Sequence, residues 1–162
     1  MQAADAAAGA PPALLRAAAR RYNPRVGDAQ GDRERAGDPP PGGALLVVLR
    51  SPGWEARFEA TALAVTAAAL GDRVVVALFG DALRAFAAGR FDDGAPASGS
   101  PVGSLSRMLD EGRQGLGLEV VACETAIRVA GLDPAAVGPA LDAVRSLPEI
   151  WQHARRGRVL AL

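Results

Sequence analysis

Three short apolar runs, Leu45 to Leu49, Val74 to Phe79 and Leu118 to Ala122, are each followed in this chain by a segment compatible with a helix. Runs rich in β-branched residues suit strands covered on both faces. Strands that alternate with helices at this spacing imply βαβ units and a parallel sheet. The chain is therefore expected to form an α/β fold, a three-layer α/β/α sandwich around a mostly parallel five-stranded sheet.

The other elements follow from periodicity and punctuation. From Glu55 to Leu70 the apolar positions Phe58, Ala62, Val65 and Ala69 recur at helical spacing, and Gly71 closes the segment. Asp81 to Ala88 and Leu105 to Gln114 read as helices, the second with Ser104 as N-cap. Residues 92 to 103, rich in Gly, Pro, Ser and Asp, predict a mobile loop. Val137, Leu141 and Val144 fit a helical face that Gly138-Pro139 interrupts, and Ala140 to Arg145 also alternates as an edge strand, the favoured reading. Pro148 to Arg155 predicts a last helix, and Arg158 to Leu162 a closing strand.

Residues 1 to 43 differ in composition. An alanine-rich start leads through the mixed charges of Asp28 to Asp38 to Pro39-Pro40-Pro41-Gly42-Gly43. Such a stretch buries too little apolar surface to offset its ordering entropy. It predicts a flexible extension and linker, with a short helix at Pro12 to Tyr22, ahead of one domain at 44 to 162.

Composition removes several classes of chemistry. The 18 basic residues are all arginine, so a Schiff base, a phosphate-loop lysine and lysine acid–base catalysis are excluded. His153 is the one histidine and Cys123 the one cysteine, too few for a structural zinc set; no cofactor is expected. His153, in the helical segment Trp151-Gln152-His153, reads as a structural or solvated residue rather than a triad member. Trp54 and Trp151 read as core or subunit-contact residues. Acidic and basic residues balance at 18 each, which offers no field for nucleic acid or an anionic membrane, and no apolar run approaches the ~20 residues of a membrane span. The single cysteine cannot form an internal disulfide, and the start lacks the basic-then-apolar order of a secretory signal; a cytoplasmic location is expected.

Cys123 stands where the third apolar run gives way to the helical segment Glu124 to Gly131. Peptide N–H groups at a helix start favour a thiolate, the form that attacks or carries sulfur, and Thr125 offers a hydroxyl donor. Glu124 acts in the opposite direction. Arg128 is a candidate cation, although five positions along a helix do not imply direct pairing. Ser51, Trp54, Gly80 and Asp81 lie at other predicted strand ends, where ligands bind in open parallel sheets. A free cysteine at a strand end also serves as a small buried hydrophobe.

The order of these elements resembles the DsrE/DsrF-like family of small sulfur-relay proteins over residues 44 to 162. The residues that carry the likeness are Leu45 to Leu49, Leu78-Phe79-Gly80-Asp81, Cys123-Glu124-Thr125-Ala126, Gly131-Leu132 and Gly157-Arg158-Val159-Leu160. The resemblance implies homo- or hetero-oligomers such as trimers or hexamers. It also implies a cysteine, here Cys123, that takes sulfur from a donor protein as a persulfide and passes it to an acceptor. The 43-residue extension is outside that plan. The alternative is a non-catalytic oligomeric protein of the same fold that binds a small ligand or a partner; thiol peroxidase chemistry would need a resolving thiol from another molecule.

Overall fold

A computed structural model of the chain describes residues 42–96, 103–155 and 157–162, and these belong to one compact unit. The predicted extension, except Gly42 and Gly43, lies outside the described residues, as do residues 97–102 of the predicted loop. The five strands are β1 (Ala44–Leu49), β2 (Arg73–Leu78), β3 (Glu119–Cys123), β4 (Ala143–Arg145) and β5 (Arg158–Ala161). All pair in parallel in the order β4-β3-β2-β1-β5, as the uninterrupted apolar runs predict. The segment at 140–145 is indeed an edge strand, shortened by a 3-10 turn at Gly138–Ala140.

Among the described residues six helices connect the strands: α1 (Trp54–Ala69), α2 (Gly80–Ala87), α3 (Leu105–Leu116), α4 (Glu124–Val129), α5 (Pro134–Val137) and α6 (Leu147–Ala154). Their distribution follows from handedness. The chain steps from β1 through β4 in one direction across the sheet, then returns past β1 to form β5. Parallel crossovers are right-handed, so reversing the direction moves the connecting helix to the other face. The first face accordingly carries the large core, in which Ala60 and Ala64 of α1, Leu83 of α2, Leu105 and Leu109 of α3, and Ile127 of α4 pack on Val47, Val76 and Val120. The second face has a small core of Leu46, Val75, Ala77, Val121, Cys123 and Ile150, in which Ile150 of α6 is the only buried helical residue, with Ala126 of α4 and Ala154 of α6 packed against it.

The α1 face differs from the predicted one. The buried residues are Arg57, Ala60, Thr61, Ala64 and Ala68, while Phe58 and Val65 are only partly buried at its flank. The helix is apolar on most sides, so periodicity does not choose a face. Packing does, and it turns the smallest side chains inward, where the backbone approaches the sheet most closely.

Arg57 is an exception within that face, buried to 3% exposure. Its Nε donates to the Gly53 carbonyl at 3.3 Å, its Nη1 to the Arg90 and Phe91 carbonyls at 2.7 Å each, and its Nη2 to the Asp93 carbonyl. The guanidinium also stands 5.7 Å from the centre of the Phe91 ring. One side chain thus fixes the turn that follows α2.

The next residue in that turn, Asp92, caps α3. Its carboxylate accepts from Leu105 N, from Ser106 N at 3.4 Å and from Ser104 Oγ at 2.8 Å, while Ser104 Oγ accepts from Arg107 N at 3.1 Å. Burial pushes the Asp92 carboxyl up, but the hydrogen bonds from Ser106, Ser104 and Leu105 outweigh it and hold the group below its ordinary value. A lowered folded pKa contributes stability above the unfolded value of ~3.9, lost as pH falls through the folded one. Asp92→Asn is expected to lose about 0.5–2 kcal/mol at neutral pH, the usual range for a cap. The difference from wild type should shrink toward zero in urea titrations below about pH 3. A gap that persists undiminished there would show that the carboxylate charge is not the cause.

Candidate functional site

Cys123 closes β3 and is the N-cap of α4, with φ −78° and ψ 133°, so the predicted strand-to-helix junction is present. Its neighbour in register on β4 is Arg145, and on the other side the pairing of β3 with β2 ends one residue earlier, at Ala122 and Leu78, so that Phe79 follows just past β2. Side chains alternate along a strand. Cys123 therefore shares the second face with Val121, under the layer formed by α6.

The sequence leaves Cys123 open between a working thiol at the sheet's rim and a small buried hydrophobe. Cys123 is buried, with 3% exposure, in the cluster closed by Ile150. The thiol makes no side-chain capping bond to α4, so no helix-start N–H is delivered to Sγ. Thr125 is exposed, and its side chain makes no hydrogen bond among the described residues. Arg128 is also exposed and pairs with Glu124 one turn earlier at 2.8 Å. Neither expected helper serves the sulfur.

Ser51, Gly80 and Asp81 do lie at the carboxyl ends of β1 and β2, but each has its own role. Ser51 Oγ accepts from Gly53 N at 3.3 Å. The Leu162 carbonyl accepts from Arg50 N at 2.8 Å and from Ser51 N at 3.4 Å, which occupies the gap between β1 and β5 where the strand order reverses. Gly80, with φ +52°, makes the turn into α2. Asp81 pairs with Arg84 at 2.5 Å, and Arg84 Nε donates to the Ala130 carbonyl at 3.0 Å, which joins α2 to the end of α4. Trp54 stacks on Phe58 at 5.3 Å, and Trp151 is 58% exposed, so Trp151 is not a core residue.

A polar group missed by the sequence reading lies beside the thiol's cluster. Arg145 is paired with Cys123 in register, yet its guanidinium is directed elsewhere: Nη1 meets His153 Nε2 at 2.8 Å and Nη2 donates to Glu119. His153 is thus half-buried and bonded to the sheet rather than solvated. A small cleft beside it is lined by Ala44, Arg73, Gln152 and His153. Ala44 and Arg73 begin their strands, so this cleft lies at the amino ends of β1 and β2, not at the Cys123 rim. No sequence signal could have joined Glu119, Arg145 and His153, because three separate elements bring them together.

The described fold is a parallel α/β sandwich. Among solved structures it is similar to the ychN protein from E. coli, with a TM-score of 0.53 and 19% sequence identity, over 74% of this chain and 99% of that one. At that identity the likeness shows the fold alone. No family model and no curated protein matches the chain. No helix among the described residues is long and apolar enough to cross a membrane.

Proposed function

We propose that this protein is a cytoplasmic persulfide carrier that works through Cys123, as a homo-oligomer that exchanges sulfur with donor and acceptor proteins. The observation that carries the reading is that the single cysteine stands at the N-cap position of a helix, at the carboxyl end of a strand in a parallel sheet whose element order resembles the DsrE/DsrF-like family. In the transfer, the Cys123 thiolate attacks the outer sulfur of a donor persulfide. A new S–S bond forms, the donor's S–S bond breaks, and its electron pair leaves on the donor thiolate. The acceptor thiolate repeats the step on the outer sulfur and releases the Cys123 thiolate, so no external oxidant or reductant enters. Burial of the thiol requires that its cover move before each exchange, which would shield a persulfide from unwanted thiols between exchanges.

After exposure to a low-molecular-weight persulfide, intact-mass measurement of the full chain should show one added sulfur atom, located on Cys123 by peptide mapping. The reading fails if wild type gains no more sulfur than Cys123→Ser.

Two observations favour a second reading, a non-catalytic protein that binds a partner through the α6 surface. One is the 3% exposure of Cys123; the other is the outward placement of Leu147 and Trp151 on α6 and of Val159 on β5. On that reading, iodoacetamide labels Cys123 only in denaturant, and Trp151→Ala weakens self-association in sedimentation without affecting folding.

A further inference from the structure

We propose that the peptide bond between Asp93 and Gly94 is a modification site at which the aspartate converts slowly to isoaspartate, with Arg57 directing the reaction. The inference goes beyond the sulfur-carrier reading and does not depend on Cys123. An aspartyl side chain followed by glycine closes readily to a succinimide, because no Cβ obstructs the approach of the next peptide nitrogen to the carboxyl carbon. Asp93-Gly94 is the one Asp-Gly pair in the chain, which has no Asn-Gly pair. Both residues are exposed. Gly94 has φ +83°, a region open chiefly to glycine, and its N–H makes no hydrogen bond among the described residues, so the nitrogen is not held back by a partner there. Asp92 differs, since its carboxylate is spent on α3 and the residue after it is not glycine.

The buried guanidinium behind this turn sets it apart from an ordinary exposed one. Arg57 Nη2 donates to the Asp93 carbonyl, and a Cβ added to Gly94 would stand 4.0 Å from that same nitrogen. The hydrogen-bond partners of Arg57 among the described residues are all neutral carbonyls, so its charge is buried without an ion pair. A cation on a carbonyl oxygen stabilises negative charge that develops there. In the first step the Gly94 nitrogen gives up its proton and bonds to Asp93 Cγ, while the protonated carboxyl loses its hydroxyl as water. Arg57 favours the loss of that amide proton. In the second step water adds to the Asp93 main-chain carbonyl carbon, whose oxygen Arg57 holds; the bond from this carbon to nitrogen breaks, and the nitrogen, now joined to Cγ, takes back a proton. One water leaves and one returns, so no other reactant is consumed. The freed carboxylate stands in place of the carbonyl that Arg57 bonded, and the buried guanidinium acquires the counter-ion it lacks. Attack at Cγ, which regenerates aspartate, gains nothing from Arg57.

The full-length protein is held warm in mildly acid buffer, natively folded or unfolded in guanidinium chloride, and the peptide that contains Asp93-Gly94 is followed by mass spectrometry. Loss of one water reports the succinimide, and electron-transfer fragmentation distinguishes isoaspartate from aspartate. The folded chain is expected to react about tenfold faster than the unfolded one, a modest share of what a fixed donor at a developing oxyanion supplies. Asp93→Asn enters the same succinimide with loss of ammonia, so it reads the second step alone. Its product should contain a larger share of isoaspartate when folded than when unfolded, and adding Arg57→Met should bring the folded share down to the unfolded value. A folded chain that reacts no faster than the unfolded one overturns the proposal. So does an isoaspartate share that is equal in the two states, or one that Arg57→Met leaves undiminished. Should the Arg57→Met chain not fold, the comparison of folded with unfolded Asp93→Asn decides by itself.

Discussion

Replacing Arg57 with methionine is expected to remove about 3–5 kcal/mol of stability, a large share of the ~5–15 kcal/mol typical of a folded domain. The methionine would fill most of the space of the arginine stem but supply no donor. The carbonyls of Gly53, Arg90, Phe91 and Asp93 would then lose their shared partner, and each buried acceptor left bare costs about 1–3 kcal/mol where water does not reach it. The damage should spread, because residues 90–93 also place Asp92 at the start of α3. In urea the midpoint should fall with the slope unchanged, the mark of lost stability rather than an altered unfolded state. Arg57→Lys should fall between the two, since an ammonium keeps the charge but cannot reach carbonyls in so many directions. A loss below about 1 kcal/mol in Arg57→Met would mean that solvent already reaches these carbonyls.

Ile150→Ala is expected to have the second largest effect, and it bears on function as well as stability. Ile150 is the only buried residue of α6 and closes the small core that contains Cys123. Truncating a buried isoleucine costs about 2–5 kcal/mol, and here most of the loss should fall on docking of α6 rather than on the sheet, whose other face keeps its own core. Cys123 should then react with iodoacetamide about a hundredfold faster at neutral pH, while circular dichroism keeps most of its strand signal. If the thiol is the working group, persulfide uptake should quicken in parallel. Unchanged labelling would mean that Phe79 and the start of α4, rather than α6, shield the sulfur.

Much of this architecture was legible in the residues themselves. The runs at Leu45, Val74 and Leu118 carry no polar alternation, and only a sheet covered on both sides accommodates such strands. The closing strand at Arg158 and the short edge strand ending at Arg145 were legible for the same reason. Helix faces were not. In α1, alanines lie on nearly every side, so the choice between the Phe58 side and the Ala60–Ala64–Ala68 side had to come from how closely the helix approaches the sheet. The short α5 was passed over, although Asp133-Pro134 is a helix start and the Asp133 carboxylate accepts from Ala135 N at 3.0 Å.

At the candidate site the division is sharper. The sequence by itself determined that one thiol ends the third strand, where the chain enters a helix, and that this chain offers neither a lysine nor a second cysteine to its chemistry. Only the tertiary structure decided that this thiol is covered, that Arg128 is taken up by Glu124, and that Arg145, Glu119 and His153 meet beside its core. The physical reason is that local pattern fixes which element a residue joins. The direction of the returning crossover, a property of the whole sheet, decides which face receives α6 and therefore what lies over Cys123.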